Sequence, residues 1–158
     1  MGKKYGEKRD LILQAAKEIF AEQGYHSSSI SSIAQKANIG DGTVYLYFKN
    51  KEDILRTLFH ETIYNQFVPR LEKELIYYQD PRFRMFYLIH SHFRFFGSDY
   101  PLARVIQIES RQTSPAVREA MKLGIKRYFQ LIESIVEQGQ NNGQFRTDVS
   151  AKNCRKLI

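Results

Sequence analysis

An all-helical chain is predicted, and three observations predict it. Apolar residues recur at three- and four-residue spacing through nearly the whole length. No run of useful length alternates with the two-residue period of a strand. The breaks between apolar runs hold residues that cap or stop helices. The expected architecture is a small N-terminal domain of three helices, joined by a long fourth helix to a C-terminal helical domain.

Taken in order, Leu11, Ile12, Ala15, Ala16, Ile19 and Phe20 mark the core face of a first helix, with Gly24 as its C-cap. Ser28 is the expected N-cap of a second helix whose apolar face is Ile30, Ile33, Ala34 and Ala37. Asn38 tolerates the left-handed conformation of a turn between helices. Gly40 caps a short third helix over roughly Asp41 to Phe48, with Ile39 and Val44 as a hydrophobic staple and Asp41 on the positive helix end. Asn50 and Asp53 form a capping-box variant that opens the long fourth helix, which Pro69 kinks or ends.

Asp80-Pro81 starts a helix through Met85, Leu88, Ile89 and Phe93, and Gly97 to Pro101 breaks it. A shorter helix covers about Leu102 to Arg111. Ser114-Pro115 opens another, which runs past Val117, Met121, Ile125, Ile132 and Val136 until Asn141-Asn142-Gly143 stops it. Thr147 or Asp148 then caps a last helix. The sequence holds no 20–50-residue repeat and no low-complexity linker.

At 158 residues the length allows one or two small domains, and the net charge of +7 suits an anionic partner such as nucleic acid. That charge is spread out: the first 51 residues hold 8 Lys/Arg against 5 Asp/Glu, the remainder 16 against 12. The densest basic run, Lys3, Lys4, Lys8 and Arg9, reads equally as a DNA-contacting arm or a solvated tail. Cys154 is the single cysteine, so no intrachain disulfide forms. With no signal-peptide core and no apolar run of membrane-spanning length, a cytoplasmic protein without a membrane partner is expected.

Function is concentrated in Ser28 to Lys51, which has the layout of a helix-turn-helix. Two short helices joined by a tight turn cross steeply and expose the second to the major groove. Val44 and Phe48 would face inward; Asp41, Gly42, Thr43, Tyr45 and Tyr47 outward. Gly42 costs a helix about 1 kcal/mol against alanine, and the functional reason to keep it is close approach of backbone to DNA. Thr43, Tyr45 and Tyr47 offer hydroxyls to phosphate oxygens, although packing also explains a tyrosine. Lys51 adds a cation at a helix N-terminus, and Ser28 and Ser29 offer the same chemistry at the second helix, where capping alone would also explain Ser28. Gly40 to Thr43 and Tyr45 lie nearest the groove, yet no Arg, Asn or Gln there can make a bidentate base contact. Many backbone contacts, few direct base contacts and some shape readout are expected.

These residues resemble the TetR family of one-component transcriptional regulators. The resemblance runs through Ala15-Ala16, Ile19-Phe20, Gly24-Tyr25, Ile33-Ala34, Gly42-Thr43-Val44-Tyr45-Leu46-Tyr47-Phe48 and Lys51-Glu52. It departs at Asn38, where glycine is usual, and at Gly40, where a hydroxyl capper is common. It implies a helix-turn-helix DNA-binding domain over residues 8–68 and a ligand-binding and dimerisation domain over 69–158. It also implies a homodimer on a palindromic operator, usually a repressor, that lets go when a small molecule enters the C-terminal domain. Thr43, Tyr45, Tyr47 and Lys51 match the family's backbone-contacting positions. Two further helices that pair subunits are expected after Ile158, so the C-terminal domain reads as incomplete. A narrower similarity, over Asp41 to Leu55 and Ile106 to Gln112, is to bacterial regulators of fatty-acid degradation that respond to long-chain acyl-CoA.

Such an effector would need apolar walls for the acyl chain and cations for phosphates. Phe86, Tyr87, His90, Phe93, Arg94, Arg104, Gln107 and Arg111 are the candidate contacts, against the plain alternative that the aromatics are core and the arginines solvated. His90 and His92 fall on different helix faces, so no metal site is expected. No cofactor is expected either.

An enzyme is the first rival class, but its support is thin. Gly40-Asp41-Gly42 begins a dinucleotide pattern that Tyr45 breaks, no strand precedes it, and no catalytic constellation appears. A helical interaction module is the second. A regulator of an efflux or stress gene, answering to another hydrophobic compound, is the alternative within the family. DNA binding that weakens steeply with salt would separate the regulator readings from the other classes.

Overall fold

The computed structural model of the chain describes residues 2–109 and 115–154, and among them every regular element is helical. Helix α1 (Gly2–Gln23) buries Ile12, Ala15, Ala16, Ile19 and Phe20. It stops at Gly24, whose φ of +79° only glycine adopts at no steric cost. The basic run at its start is helical backbone.

Helix α2 (Ile30–Lys36) is capped by Ser29, not by the expected Ser28. The Ser29 hydroxyl accepts from the Ser32 N–H at 3.0 Å, and the Ser32 hydroxyl accepts from the Ser29 N–H at 3.1 Å. Ser28 points inward and donates to the Tyr25 carbonyl at 2.7 Å. The reciprocal serine pair satisfies two N–H groups and outcompetes a cap one residue earlier.

Asn38 takes a φ of +54° in the turn, and Gly40 caps α3 (Asp41–Tyr45). This helix is shorter than expected. After Tyr45 the chain tightens, with Leu46 N–H donating to Thr43 at 3.2 Å and Tyr47 N–H to Val44 at 3.0 Å.

Helix α4 (Lys51–Phe59) opens with the Asn50 side chain accepting from the Asp53 N–H at 2.8 Å. Asp53 returns the favour one residue further out, to the Lys49 N–H at 3.1 Å. The helix neither ends nor breaks at Pro69. It widens into a π-helical segment (His60–Phe67) and resumes as α5 (Val68–Leu75), with Pro69 in the first turn. A proline inside an α-helical frame lacks its N–H and strikes the carbonyl four residues back; shifting the hydrogen-bond frame upstream removes the conflict.

Helix α6 (Pro81–Gly97) starts at the Asp80 cap, whose carboxylate accepts from the Arg82 N–H at 2.8 Å. Helix α7 (Tyr100–Glu109) begins earlier than expected, because Asp99 caps it through the Leu102 N–H at 3.1 Å and Pro101 fits its first turn. Helix α8 (Pro115–Asn141) stops before Gly143, at φ +70°. The last described helix, α9 (Ala151–Cys154), is initiated at Ser150, whose carbonyl accepts from Asn153 and Cys154, and not at Thr147 or Asp148.

Two compact units result: Met1–His60 with Asp99–Met121, and Glu61–Ser98 with Lys122–Ile158. In the first, α7 packs on α1 through buried Leu102 and Val105. In the second, Ile63, Phe67, Leu71, Leu88, Ile132 and Ile135 are buried. There α8 approaches the π-helical segment so closely at Gly124 that a Cβ would lie 2.7 Å from Ile63. No described helix is long and apolar enough to cross a membrane.

Candidate nucleic-acid interface and effector cavity

Among the described residues, one surface in the first unit and one cavity in the second are the candidates for binding. The first is the exposed side of α2, the turn and α3. Val44 and Phe48 anchor this segment from below, both fully or nearly buried. Ser29, Gly40, Asp41, Gly42 and Tyr45 are exposed, with Tyr45 58% accessible. Thr43 and Tyr47 are half-buried. At Gly42 an added Cβ would meet no protein atom within 4 Å, so nothing in the fold requires glycine there. Ser31, which the sequence did not single out, donates to the Asp41 carboxylate and ties α2 to the start of α3.

Two residues expected at this surface serve the loop instead. Ser28 is buried as described. Lys51 extends its ammonium into the loop between α1 and α2, where it donates to the carbonyls of Tyr25 (2.5 Å), His26 (3.2 Å) and Ser28 (2.6 Å). The ammonium also lies 4.6 Å from the Tyr25 ring centroid, within cation–π range. Burial pulls its pKa below the ordinary lysine range, and the Glu109 carboxylate works against that pull. Three carbonyls leave no N–H of an ammonium over. Cation and loop were both visible in the sequence, but their meeting is a tertiary fact.

The second place is a cavity of about 270 Å³ in the other unit. Phe67, Leu71 and Phe95 give it apolar walls; Arg70, Glu74, Tyr87, His90, Ser91, Arg94 and Ser98 give it polar ones. Tyr87, His90 and Arg94 are therefore brought together as the sequence suggested. Phe86 and Phe93 do not line it and are 70% and 71% exposed, although Phe86 stacks on His90 one turn along α6, with ring centroids 6.1 Å apart. Arg104 and Gln107 are exposed positions of α7, in the other unit. Arg111 lies outside the described residues. Arg70, Glu74 and Ser91 were missed; Arg70 and Glu74 sit one turn apart on α5, a spacing that could have pointed to them.

Inside the cavity Tyr87 donates to Glu74, and Arg70 reaches Glu74 at 3.2 Å. The Tyr87 hydrogen bond, with Arg70 and Arg94 adding to it, holds the Glu74 carboxyl below the usual carboxylate range. Arg70 pairs with the carboxylate directly, and Arg94 acts on it through its charge. Beside the cavity a ring cluster of Phe67, His92, Phe95, Phe96 and Tyr128 fills the core, with His92 Nδ1 3.1 Å from the Tyr128 hydroxyl. Burial pushes the Tyr128 phenol up to about 12 and pulls His92 below its ordinary value.

A short exposed helix after a tight turn, and a second helical unit that holds a charged cavity, fit a one-component DNA-binding regulator. Residues 12–58 match the family described as bacterial regulatory proteins, tetR family, and residues 59–158 match the C-terminal region of the YsiA-like proteins. The chain is 37% identical to the fatty acid metabolism regulator protein of Bacillus subtilis over 147 residues, covering 93% of this chain and 75% of that protein. The fold is similar to that of the regulator FadR from Bacillus subtilis in complex with stearoyl-CoA, with a TM-score of 0.83, 36% identity and coverage of 93% and 78% of the two chains. It is similar as well to the fatty acid degradation regulator FadR from Bacillus halodurans, with a TM-score of 0.86, 34% identity and coverage of 95% and 77%. The chain belongs to the TetR family and is a ligand-responsive, DNA-binding transcriptional regulator.

Proposed function

We propose that this chain is a cytoplasmic, homodimeric repressor that holds a palindromic operator and releases it when a long-chain acyl-CoA binds. Ser29, Gly40, Gly42, Thr43, Tyr45 and Tyr47 supply the DNA face, mostly through phosphate contacts that fix register, with Asp41 orienting the start of α3. The missing side chain at Gly42 lets the helix backbone come close to the duplex.

The observation that carries the effector reading is the pairing of Arg70 and Arg94 with phenylalanine and leucine walls in one cavity. An acyl-CoA joins phosphates to an apolar chain, and guanidiniums take phosphate oxygens by paired hydrogen bonds. The cavity volume accepts part of such a molecule rather than all of it. An anionic group arriving there competes with Glu74 for Arg70 and meets Arg94 beside it. The similarity to a regulator solved with stearoyl-CoA supports the same ligand class.

Equilibrium binding of stearoyl-CoA, free CoA and stearate to the wild type, Arg70→Ala and Arg94→Ala tests this. Stearoyl-CoA should bind most tightly, and each arginine variant should lose about tenfold, the value of one charge-assisted contact. Failure of stearoyl-CoA to bind would overturn the ligand reading, and arginine variants binding like wild type would remove the cavity as its site.

A further inference from the structure

The first unit contains a buried acid that the DNA face does not use. Glu109, at the end of α7, is 2% exposed. Its Oε1 accepts from the Tyr25 N–H at 3.1 Å, across 84 residues of sequence. Tyr25 is also the residue whose carbonyl and ring receive the Lys51 ammonium. Lys51 is the first residue of α4, one position after the Asn50 cap. At the other end of α7, Asp99 pairs with Lys17 of α1 while it caps its own helix through Leu102. Helix α7 is therefore fastened to the DNA-binding helices at both ends, with Leu102 and Val105 buried between the fastenings.

In the α1–α2 loop Tyr25 is half-buried, its ring edge-on to the buried Phe20 at 5.5 Å between centroids, and His26 is exposed. Beside that ring contact the loop is held by polar contacts, which reach to the start of α2. Ser29 caps α2, and Ser28, one residue before it, is pinned by its own hydroxyl and by Lys51. A loop released from either end would let α2 and α3 turn relative to α1.

We propose that Glu109 is a positioning residue for DNA binding: through the Tyr25 amide it fixes the loop that also holds the Lys51 ammonium and that sets the angle of α2 and α3. A determinant of operator affinity thus lies outside residues 12–58, the span matched by the DNA-binding family. It sits on the helix that follows the effector unit's α6 in sequence. The inference rests on the DNA-binding reading of α2 and α3, and wild-type binding in the experiment below checks that reading separately.

The test uses the full chain with a duplex selected by the wild-type protein from a random library, and a shuffled duplex of equal length. Glu109→Ala should weaken the selected duplex by about tenfold, the effect of one buried hydrogen bond to a charged group. Its affinity for the shuffled duplex should stay the same, because nonspecific binding needs charge and not helix angle. Glu109→Gln keeps an oxygen for the Tyr25 N–H and should recover most of the loss.

If Glu109→Ala does not fold, Glu109→Met, which keeps the bulk but offers the Tyr25 N–H no oxygen, carries the test with Lys51→Met and their double variant. Losses on the selected duplex that fail to add support a shared route through Tyr25. Additive losses overturn it. Wild-type affinity in Glu109→Ala, or equal loss on both duplexes, also overturns it. Absence of any selected duplex for the wild type would instead remove the DNA-binding reading.

Discussion

Gly42 is where the demands of folding and of binding separate most cleanly. Its φ is not positive and its surroundings are open, so alanine fits. Helix propensity then favours alanine by about 1 kcal/mol. Gly42→Ala is expected to leave the thermal midpoint unchanged or raise it, while binding to the operator weakens by tenfold or more. Paired melting and DNA titrations check both halves; a variant that binds as well as wild type would return Gly42 to a tolerated helix glycine. Lys51 teaches the complementary lesson. A lysine at a helix N-terminus is legible in the sequence as a phosphate contact. The carbonyls that take its ammonium belong to residues 23 to 26 positions earlier, and no local pattern places them there. Glu109 was hidden for the same reason, its partner being 84 residues away.

Helices were legible where short-range chemistry decides them. Gly24 and Asn141-Asn142-Gly143 were read as helix stops and Asn38 as a turn residue, and the structure gives Gly24, Asn38 and Gly143 positive φ. The Asn50 and Asp80 caps also stand where the sequence put them. Asn50→Ala should lower stability by about 1 kcal/mol, a fall in melting midpoint of about 2–4 °C for a chain of this size. Scanning calorimetry reads it, and an unchanged midpoint would mean that Asp53 and Lys49 hold the start of α4 without the cap. Errors arose where two local solutions compete. Ser28 and Ser29 are both good caps, and only the hydroxyl of Ser32 decides between them. Pro69 fits either a kink or a stop, and the π-helical segment is a third solution that no periodicity announces, since its apolar positions still serve a helical face.

The packing of α6 against α8 carries a pH dependence. Burial disfavours the charged form of His92, so its folded pKa lies below the ordinary 6.5. Above 6.5 the imidazole is neutral in both states and contributes no pH dependence. As pH falls through 6.5 the unfolded chain takes up a proton that the folded chain resists, so stability declines on acidification from that point. His92→Phe should flatten the melting midpoint between pH 7 and 5.5, at the expense of the contact with Tyr128. An identical pH profile in the variant would assign the effect to other groups.

At the scale of the whole molecule, sequence and structure agree on two helical units but divide them differently. The sequence placed a single boundary near residue 68. The structure groups Asp99–Met121 with the N-terminal helices, because Leu102, Val105, Asp99 and Glu109 bind α7 to α1 and its following loop. A linear reading assigns residues to domains in order and cannot see a later helix return. In the proposed function the charge of +7 supplies general attraction to DNA, and α2 and α3 supply its direction. The most direct test of the account is a titration of the full chain against promoter DNA of fatty-acid-degradation genes, with and without stearoyl-CoA. Sequence-specific binding that stearoyl-CoA abolishes and free CoA does not is the expected result. Specific binding indifferent to stearoyl-CoA would contradict the proposed effector. A folded dimer with no preference for those promoters or for any selected sequence would contradict the regulator itself.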